Sequence, residues 1–337
     1  MTLREAGEFG LIRRIQNQYA SPTAVPLGIG DDAAAIASSS LNYTLLTTDT
    51  LVEHTHFECA FSDYLQLGYK ALAVNLSDIA AMGGKPKYFL VSLGLRDSFR
   101  THDIDRLYRG IAKASREAEA IMVGGNTTRS HKQAFIGITL IGEISKKEMV
   151  TRGGAKEGDA LYVTGSLGDA AAGLSLLKKG LHKRKHAKMI ARYQCPQARV
   201  LEGRLLGKEK IPSAMIDISD GLGADLNHIL ERSQVGAELL LDRIPISPAL
   251  RGYAKECGID PFAYALSGGE DYELLFSVPQ KRIPKLEQLQ RSGGIQVTRI
   301  GSIIEKRHGL RLRKGDGSLQ RIKPGGYDHF KLALRKI

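Results

Sequence analysis

Strand-like and helical segments alternate twice along this chain, with a polar, glycine-rich stretch between the two rounds, and that pattern restricts it to layered α/β or α+β domains. In the first round, β-branched or apolar runs at Thr44 to Val52, Tyr88 to Leu95, Ile121 to Val123 and Phe135 to Ile144 predict strands. Helical spacing appears at Phe9 to Tyr19, at Tyr64 to Met82 behind the capping candidate Asp63, and at Ile104 to Ala120, where Leu107, Ile111, Ala114 and Ala118 share a face. The seam runs from Lys146 through Arg152-Gly153-Gly154 to Asp159. Beyond it, strands are predicted at Ala160 to Thr164, Ala214 to Ile218, Glu238 to Leu241, Glu273 to Val278 and Val297 to Ile303. Helices are predicted at Ala170 to Lys179, Gln197 to Leu206 with Pro196 in its first turn, Leu222 to Ser233, and Ile283 to Arg291. The expectation is two mixed-sheet domains, 1–147 and 148–337, a division that suits 337 residues.

Composition removes several function classes. With 42% apolar and 25% charged residues the chain has an ordinary globular makeup, and no apolar run approaches the roughly 18 residues of a membrane helix, so no membrane partner is expected. Met1 to Glu8 lacks a secretory apolar stretch, which predicts a cytoplasmic protein. Cys59, Cys195 and Cys257 are odd in number and contain no Cys-x-x-Cys pair, so they read as partly buried thiols rather than a disulfide framework or zinc knuckle.

The net charge is +12, concentrated at Lys178 to Lys188 and at Lys306 to Lys323. No aromatic is interleaved in the first stretch for base stacking, and Gly180 stands where a helix ends, so it is expected to be a solvated connector with no nucleic-acid partner. A third reading is steering of small anionic substrates by the overall field, and charge alone does not choose among the three.

Aspartates carry the chemistry. Asp31 and Asp32 follow Gly28-Ile29-Gly30; Asp49 closes Leu46-Thr47-Thr48; Asp78 ends Asn75-Leu76-Ser77; Asp217 and Asp220 frame Ile218-Ser219. Several stand at the end of an apolar strand, where open α/β sheets place ligands. Any one of them alone reads as a cap or a solvated charge. If they converge, repulsion forces some to hold protons unless cations neutralise them, and an all-oxygen donor set selects Mg²⁺ shared with substrate phosphates.

Three glycine-rich segments offer backbone N–H groups to phosphates: Gly28 to Gly30, Gly124-Gly125-Asn126-Thr127-Thr128, and Ser267-Gly268-Gly269-Glu270-Asp271, all expected to be loops. No Walker-type loop and no His-Arg-Asp loop exists, which excludes the two commonest kinase templates. The Gly28-x-Gly30-x-x-Ala33 match to a dinucleotide fingerprint is discounted, because Asp31 and Asp32 repel a bare pyrophosphate and the run that follows is a poor crossover helix. His54 and His56 alternate on an extended segment without the further ligands a zinc site needs, and a phosphate or ring contact for one of them competes evenly with mere packing.

Longer motifs carry a resemblance. Glu8-Phe9-Gly10-Leu11-Ile12, Gly28 to Ala33, Thr48-Asp49-Thr50-Leu51-Val52, Lys70-Ala71-Leu72-Ala73-Val74-Asn75-Leu76-Ser77-Asp78, Asp217 to Leu222, Ser267 to Leu274 and Gly326-Tyr327-Asp328-His329-Phe330 occur in order from near residue 8 to near residue 330. Together they resemble the thiamine-monophosphate kinase family, of the superfamily shared with aminoimidazole-ribonucleotide synthetase and selenophosphate synthetase. The resemblance implies a two-domain homodimer whose N-terminal strands pair across the axis. It implies that ATP plus thiamine monophosphate gives ADP plus thiamine diphosphate by direct in-line transfer with several Mg²⁺ ions, and no covalent nucleophile or essential base.

It also implies roles for individual residues. Asp32, Thr47, Thr48, Asp49, Asp78, Asp217 and Asp220 become metal ligands; Gly125, Asn126, Arg152, Ser219 and Tyr108 become nucleotide contacts, with Arg152 also stabilising charge; His56, Glu270 and Tyr327 become contacts to thiamine phosphate. The family commonly has Asp where Asn126 stands, so Asn126, also a metal ligand by this resemblance, brings no negative charge. Selenophosphate synthetase is disfavoured because no Cys precedes Cys59, and a hydrogenase-maturation relative because Leu334 to Ile337 lacks a terminal Cys, which leaves aminoimidazole-ribonucleotide synthetase as the enzymatic alternative.

Overall fold

The computed structural model describes residues 2–19, 25–181, 183–323 and 325–330. Helix α1 (Leu3–Gln18) opens on a Thr2/Glu5 capping box and starts earlier than its periodicity predicts, because Gly7 at φ +65° kinks it and hides its first turn from a helical pattern. Strands β1 (Ala34–Ala37) and β2 (Asn42–Val52) lead to α2 (Tyr64–Ala81), then β3 (Lys85–Leu95), α3 (Thr101–Ala118), β4 (Ile121–Arg129) and β5 (Phe135–Ser145). These strands form one sheet in the order β1-β2-β5-β3-β4. Asp63 caps α2 as predicted, accepting from the N–H groups of Leu65 at 2.8 Å and Gln66 at 3.3 Å.

Helices α2 and α3 cross so closely that a Cβ on Gly68 would sit 1.9 Å from the Leu107 carbonyl oxygen, and one on Gly110 would sit 1.8 Å from that of Leu65. Leu107, Ile111 and Ala114 are buried on the predicted face of α3.

The second round comprises β6 (Ala160–Thr164), α4 (Asp169–Lys178), α5 (Ala187–Gln194), α6 (Val200–Lys208), β7 (Ala214–Asp217), α7 (Leu222–Ser233), β8 (Gly236–Leu240), α8 (Pro248–Cys257), α9 (Pro261–Ser267), β9 (Leu274–Val278), α10 (Ile283–Arg291), β10 (Val297–Ile304), β11 (Leu310–Arg313) and β12 (Leu319–Arg321). Its sheet runs β12-β11-β8-β10-β6-β9-β7. One hydrophobic cluster joins the two rounds, with Leu72, Leu76 and Ile79 of α2 in the same core as Met215, Leu274 and Phe276 of the second sheet. The two sheets therefore share a wall through α2.

Several local expectations need correction. Gly124 to Thr128 is not a loop but the middle of β4, held parallel to β3 with Gly125 opposite Val91, where any Cβ would meet the Val91 carbonyl oxygen at 2.0 Å. The helix placed at Gln197 to Leu206 begins only at Val200, since Pro196 lies ahead of it. The stretch Lys178 to Lys188 is a mostly exposed connector between two helices, as expected, running from the end of α4 through a 3₁₀ turn at Arg184–His186 into α5, and His182 lies outside the described residues. Cys257 is exposed, whereas Cys59 and Cys195 are half-buried; all three are free thiols. Helices α8 and α9 carry Pro in their first turn behind the caps Ser247 and Asp260, a signal the periodicity argument passed over.

Candidate active site

The site forms where the end of β2, helix α2, the end of β7 and the segment after β1's preceding turn meet. One carboxylate oxygen each from Asp32, Asp78 and Asp217 lies within 4.8 Å of the others. Asp78 sits on the last turns of α2, Asp217 ends β7, and Asp32 precedes β1, so three elements from both rounds deliver one acid apiece. Neighbouring hydroxyls orient them. Ser77 Oγ donates to Asp217 Oδ2 at 2.6 Å, and Thr47 Oγ1 donates to Asp78 Oδ2 at 2.5 Å.

Asn75, fully buried, accepts the N–H of Asp49 at 3.0 Å and donates to the Ala71 carbonyl at 3.1 Å, fixing β2 against α2. Asp225, on the first turn of α7, accepts the N–H groups of Asp220 at 3.1 Å and Gly221 at 3.0 Å and so shapes the loop that carries Asp220. Asn75, Ser77 and Asp225 were not among the sequence candidates, because a polar residue one step from a functional one looks like helix-turn composition.

The electrostatics are those of crowded acids. Burial first, then neighbouring carboxylates, pushes Asp217 up to about 8 and Asp78 well above its ordinary value. Asp31 and Asp220 rise to about 7, burial again leading, with Asp32 acting on the first and Glu8 on the second. Asp49 is raised by burial and by Glu8. Arg152 answers this charge: its Nε and Nη2 donate to Asp32 Oδ1 at 3.1 and 2.6 Å, and its backbone N–H reaches Asp31. Asp32 Oδ2 is buried with no hydrogen-bond partner. An orphaned carboxylate oxygen inside a cluster of three acids is a ligand atom waiting for a cation, so the donor set fits Mg²⁺.

A second group of residues lies beside the acids. His56 Nδ1 accepts the Val52 N–H at 3.0 Å, which leaves the proton on Nε2, and burial together with His329 and Lys70 lowers its pKa to about 4. The rings of His56 and His329 are 5.0 Å apart, and those of Tyr327 and His329 are 4.9 Å apart edge to face. The terminal segment is strapped down by the Tyr327 N–H donating to the Asp220 carbonyl at 3.1 Å and by His329 N–H donating to Glu8 Oε2 at 3.3 Å. Glu270 pairs with buried Lys70, and its N–H donates to the Ser219 carbonyl at 2.7 Å. Glu270 at φ +68° and Tyr272 at φ +51° hold left-handed backbone that non-glycine residues adopt at a cost, as functional loops often do.

His56, Glu270, Tyr327 and Ser219 are thus gathered with the acids, while other candidates are not. Thr48 points away from Thr47, its hydroxyl donating to the Ile138 carbonyl at 3.1 Å and meeting Thr139 at 3.2 Å. Tyr108 packs from α3 against the core rather than toward the acids. Gly125 and Asn126 lie on the far edge strand: Asp49 pairs with Ile138, Ile138 with Val91 and Val91 with Gly125, three strand spacings or about 14 Å along the sheet. His54, at φ +66°, turns aside to Glu58. Gly28 to Gly30 leads into β1, not into a crossover helix.

Comparison with known proteins follows this geometry. The AIR synthase related protein family matches twice, its N-terminal domain over residues 30–144 and its C-terminal domain over 156–313. Thiamine-monophosphate kinase of Bacillus subtilis is 36% identical over 331 residues, 96% of this chain and 99% of that protein. The chain belongs to the thiamine-monophosphate kinase family. Its relative from Aquifex aeolicus is 37% identical over 98% of this chain and all of that protein.

Among solved structures of the family, AaThiL complexed with AMPPCP and TMP matches with a TM-score of 0.86 at 37% identity, covering 98% of this chain and 99% of that one. Hydrogenase maturation protein HypE in complex with ATP, 20% identical with a TM-score of 0.70, shares the fold alone. The Leu334 to Ile337 tail weighed against that relative lies outside the described residues. No helix among the described residues is long and apolar enough to cross a membrane.

Proposed function

We propose that this protein transfers the γ-phosphoryl group of ATP to thiamine monophosphate, forming thiamine diphosphate and ADP. The observation that carries the reading is the meeting of Asp32, Asp78 and Asp217 within 4.8 Å, with the His56, His329 and Tyr327 rings packed together and the segment carrying the last two tied to the Asp220 loop. The acceptor is a phosphate monoester whose second pKa is about 6, so its oxygen is already ionised at neutral pH and no strong base is required. The difficulty is to bring two anions into line. Asp32, Asp78 and Asp217, with Asp49, Asp220 and Thr47 at hand, would hold Mg²⁺, which when bound would supply charge neutralisation between the two anions.

The chain does the rest. Arg152 places a fixed positive charge against Asp32 at the edge of the cluster, and Ser219 anchors the Glu270 loop through its carbonyl. Neutral His56 offers Nε2–H as a donor, and Tyr327 and His329 present ring faces and edges to a heteroaromatic substrate.

We further propose a cytoplasmic homodimer. The outer face of the first sheet and its β4 edge expose Ile36, Tyr88, Leu90, Ile121, Met122 and Val123, each 37% or more accessible, an apolar surface that a second copy covers. The separation of Asn126 from Asp49 within one sheet is then bridged across the pairing, with Gly125 and Asn126 serving the nucleotide bound by the other copy.

The test is formation of thiamine diphosphate from ATP and thiamine monophosphate with Mg²⁺ titrated. Release of ADP with formylglycinamidine ribonucleotide and none with thiamine monophosphate would replace this reading by an aminoimidazole-ribonucleotide synthetase-like ligase.

A further inference from the structure

Lysine is rarely buried without a partner, and Lys70 is 2% exposed. It stands on α2, two turns before Asp78 on the same face, in the sequence Lys70-Ala71-Leu72-Ala73-Val74-Asn75-Leu76-Ser77-Asp78. Its ammonium contacts Glu270 Oε2 from the loop before β9 and lies 3.8 Å from the centre of the Tyr193 ring on α5. The Tyr193 hydroxyl in turn donates to the His56 carbonyl at 2.9 Å. Lys70, Glu270, Tyr193 and His56 thus link four segments drawn from both rounds of the fold.

Burial works against the charged ammonium and Glu270 works for it. The dependence runs the other way as well. Glu270 has no other ion-pair partner among the described residues. Its backbone is held in the left-handed region, and its carboxylate is turned to the Lys70 ammonium. The eight steps from Lys70 to Asp78 span about 12 Å at 1.5 Å per residue, so the Lys70–Glu270 pair stands apart from the acids along α2.

We propose that Lys70 is a positioning residue for the acceptor: it holds the Glu270 carboxylate on the side of the site where His56 and Tyr327 stand, and so governs recognition of the cationic, heteroaromatic end of thiamine monophosphate without touching either phosphate. This rests on the functional reading above. A lysine that only supports the fold affects both substrates alike; one that acts through Glu270 affects the acceptor alone.

The experiment is steady-state kinetics of the full chain with Mg²⁺, varying each substrate in turn, for Lys70→Met, Glu270→Gln, the double variant and Tyr193→Leu. Lys70→Met is expected to raise KM for thiamine monophosphate about tenfold or more, the cost of misdirecting one charge-assisted contact, with KM for ATP within about twofold. In the Glu270→Gln background the same substitution adds at most about threefold. Equal losses on both substrates, or losses that multiply in the double variant, overturn the assignment.

Should Lys70→Met fail to fold, Tyr193→Leu removes the ring beneath the ammonium together with the hydroxyl bound to the His56 carbonyl, and Tyr193→Phe, which removes the hydroxyl alone and should leave the acceptor KM within about twofold of wild type, separates the two. Tyr193→Leu is expected to show the same selective rise in KM, and an equal effect on both substrates overturns the proposal again. A wild-type protein with no thiamine diphosphate formation defeats the functional reading and this assignment together, whereas an active one whose Lys70→Met variant keeps its acceptor KM defeats this assignment alone.

Discussion

Replacing Arg152 by Met separates the two cations that the acid cluster needs. The substitution keeps the backbone N–H that reaches Asp31 at 3.2 Å and removes only the guanidinium, whose Nε and Nη2 stand 3.1 and 2.6 Å from Asp32 Oδ1. Asp32 then has one oxygen orphaned already and the other stripped of its partner. Breaking such a buried pair costs about 3–5 kcal/mol. For 337 residues the unfolding entropy is roughly 0.7 kcal/mol per kelvin, so the metal-free variant should melt about 4–7 °C below the wild type.

With saturating Mg²⁺ an ion takes over the neutralisation, and the gap should shrink to about 2 °C or less. Catalysis should not be rescued in the same way. A fixed arginine charge at a phosphoryl-transfer centre is typically worth a factor of about 10³ or more, so kcat should stay depressed at any Mg²⁺ concentration. Thermal melts in EDTA and in Mg²⁺, paired with thiamine diphosphate assays, separate the two roles. An identical Tm loss in both buffers, or wild-type kcat in the variant, would show that Arg152 neither answers Asp32 nor serves the transferred phosphoryl group.

Other consequences are open to direct measurement. Asn126→Asp should lower the Mg²⁺ concentration for half-maximal activity, and an unchanged or raised requirement shows that Asn126 is not a ligand. Asp217, raised to about 8, and Asp31 and Asp220, raised to about 7, each contribute stability that is complete below the ordinary value of 3.8 and lost as pH climbs through the folded value. His56 and His228, lowered to about 4, act in the opposite sense only below 6.5. The EDTA-treated protein should therefore lose Tm between pH 6.5 and about 8.5, and Mg²⁺ should flatten that slope; a Tm rising over this window in EDTA contradicts the crowded-acid account. Gly68→Ala drives a Cβ to within 1.9 Å of the Leu107 carbonyl, so it should destabilise by about 1–3 kcal/mol or more through the α2–α3 crossing. Denaturant midpoints unchanged by that substitution would mean the two helices are not in contact.

Much of this architecture was legible from local pattern. Helix α2 starts at its predicted cap, α7 and α10 coincide with their predicted spans, and β6 does the same. Such elements have one dominant periodicity and clear ends. Strand β4 did not, because Gly124, Gly125 and Asn126 carry turn chemistry in isolation and become strand only through the ladder to β3. Helix α5 was hidden by the basic run before it, and β11 and β12 by their shortness and charge. The acids were recognisable by their strand-end contexts, yet which of them meet depends on contacts between residues far apart in sequence, such as Ser77 with Asp217. Thr48 shows the limit: its motif is right, and its hydroxyl faces the other side of β2.

Lys70 escaped for a different reason, and that reason bears on how the site works. A single lysine in an apolar helix usually snorkels to solvent, and nothing in the run around it says that both its helix faces will be covered. Helix α2 is buried by α3 and the first sheet on one side and by α6 and β7 on the other, so Lys70, Asn75 and Ser77 have no water to reach and Asp78 has little. Each must find a partner in the protein: Lys70 takes Glu270, Asn75 takes the β2 backbone, Ser77 takes Asp217, and Asp78 takes Thr47. A helix packed this way cannot shift by a fraction of a turn without unpairing several buried groups at once, at about 1–3 kcal/mol each. The distance between the acid cluster and the Lys70–Glu270 pair is thus fixed by α2 itself, so the two parts of the site keep one spacing.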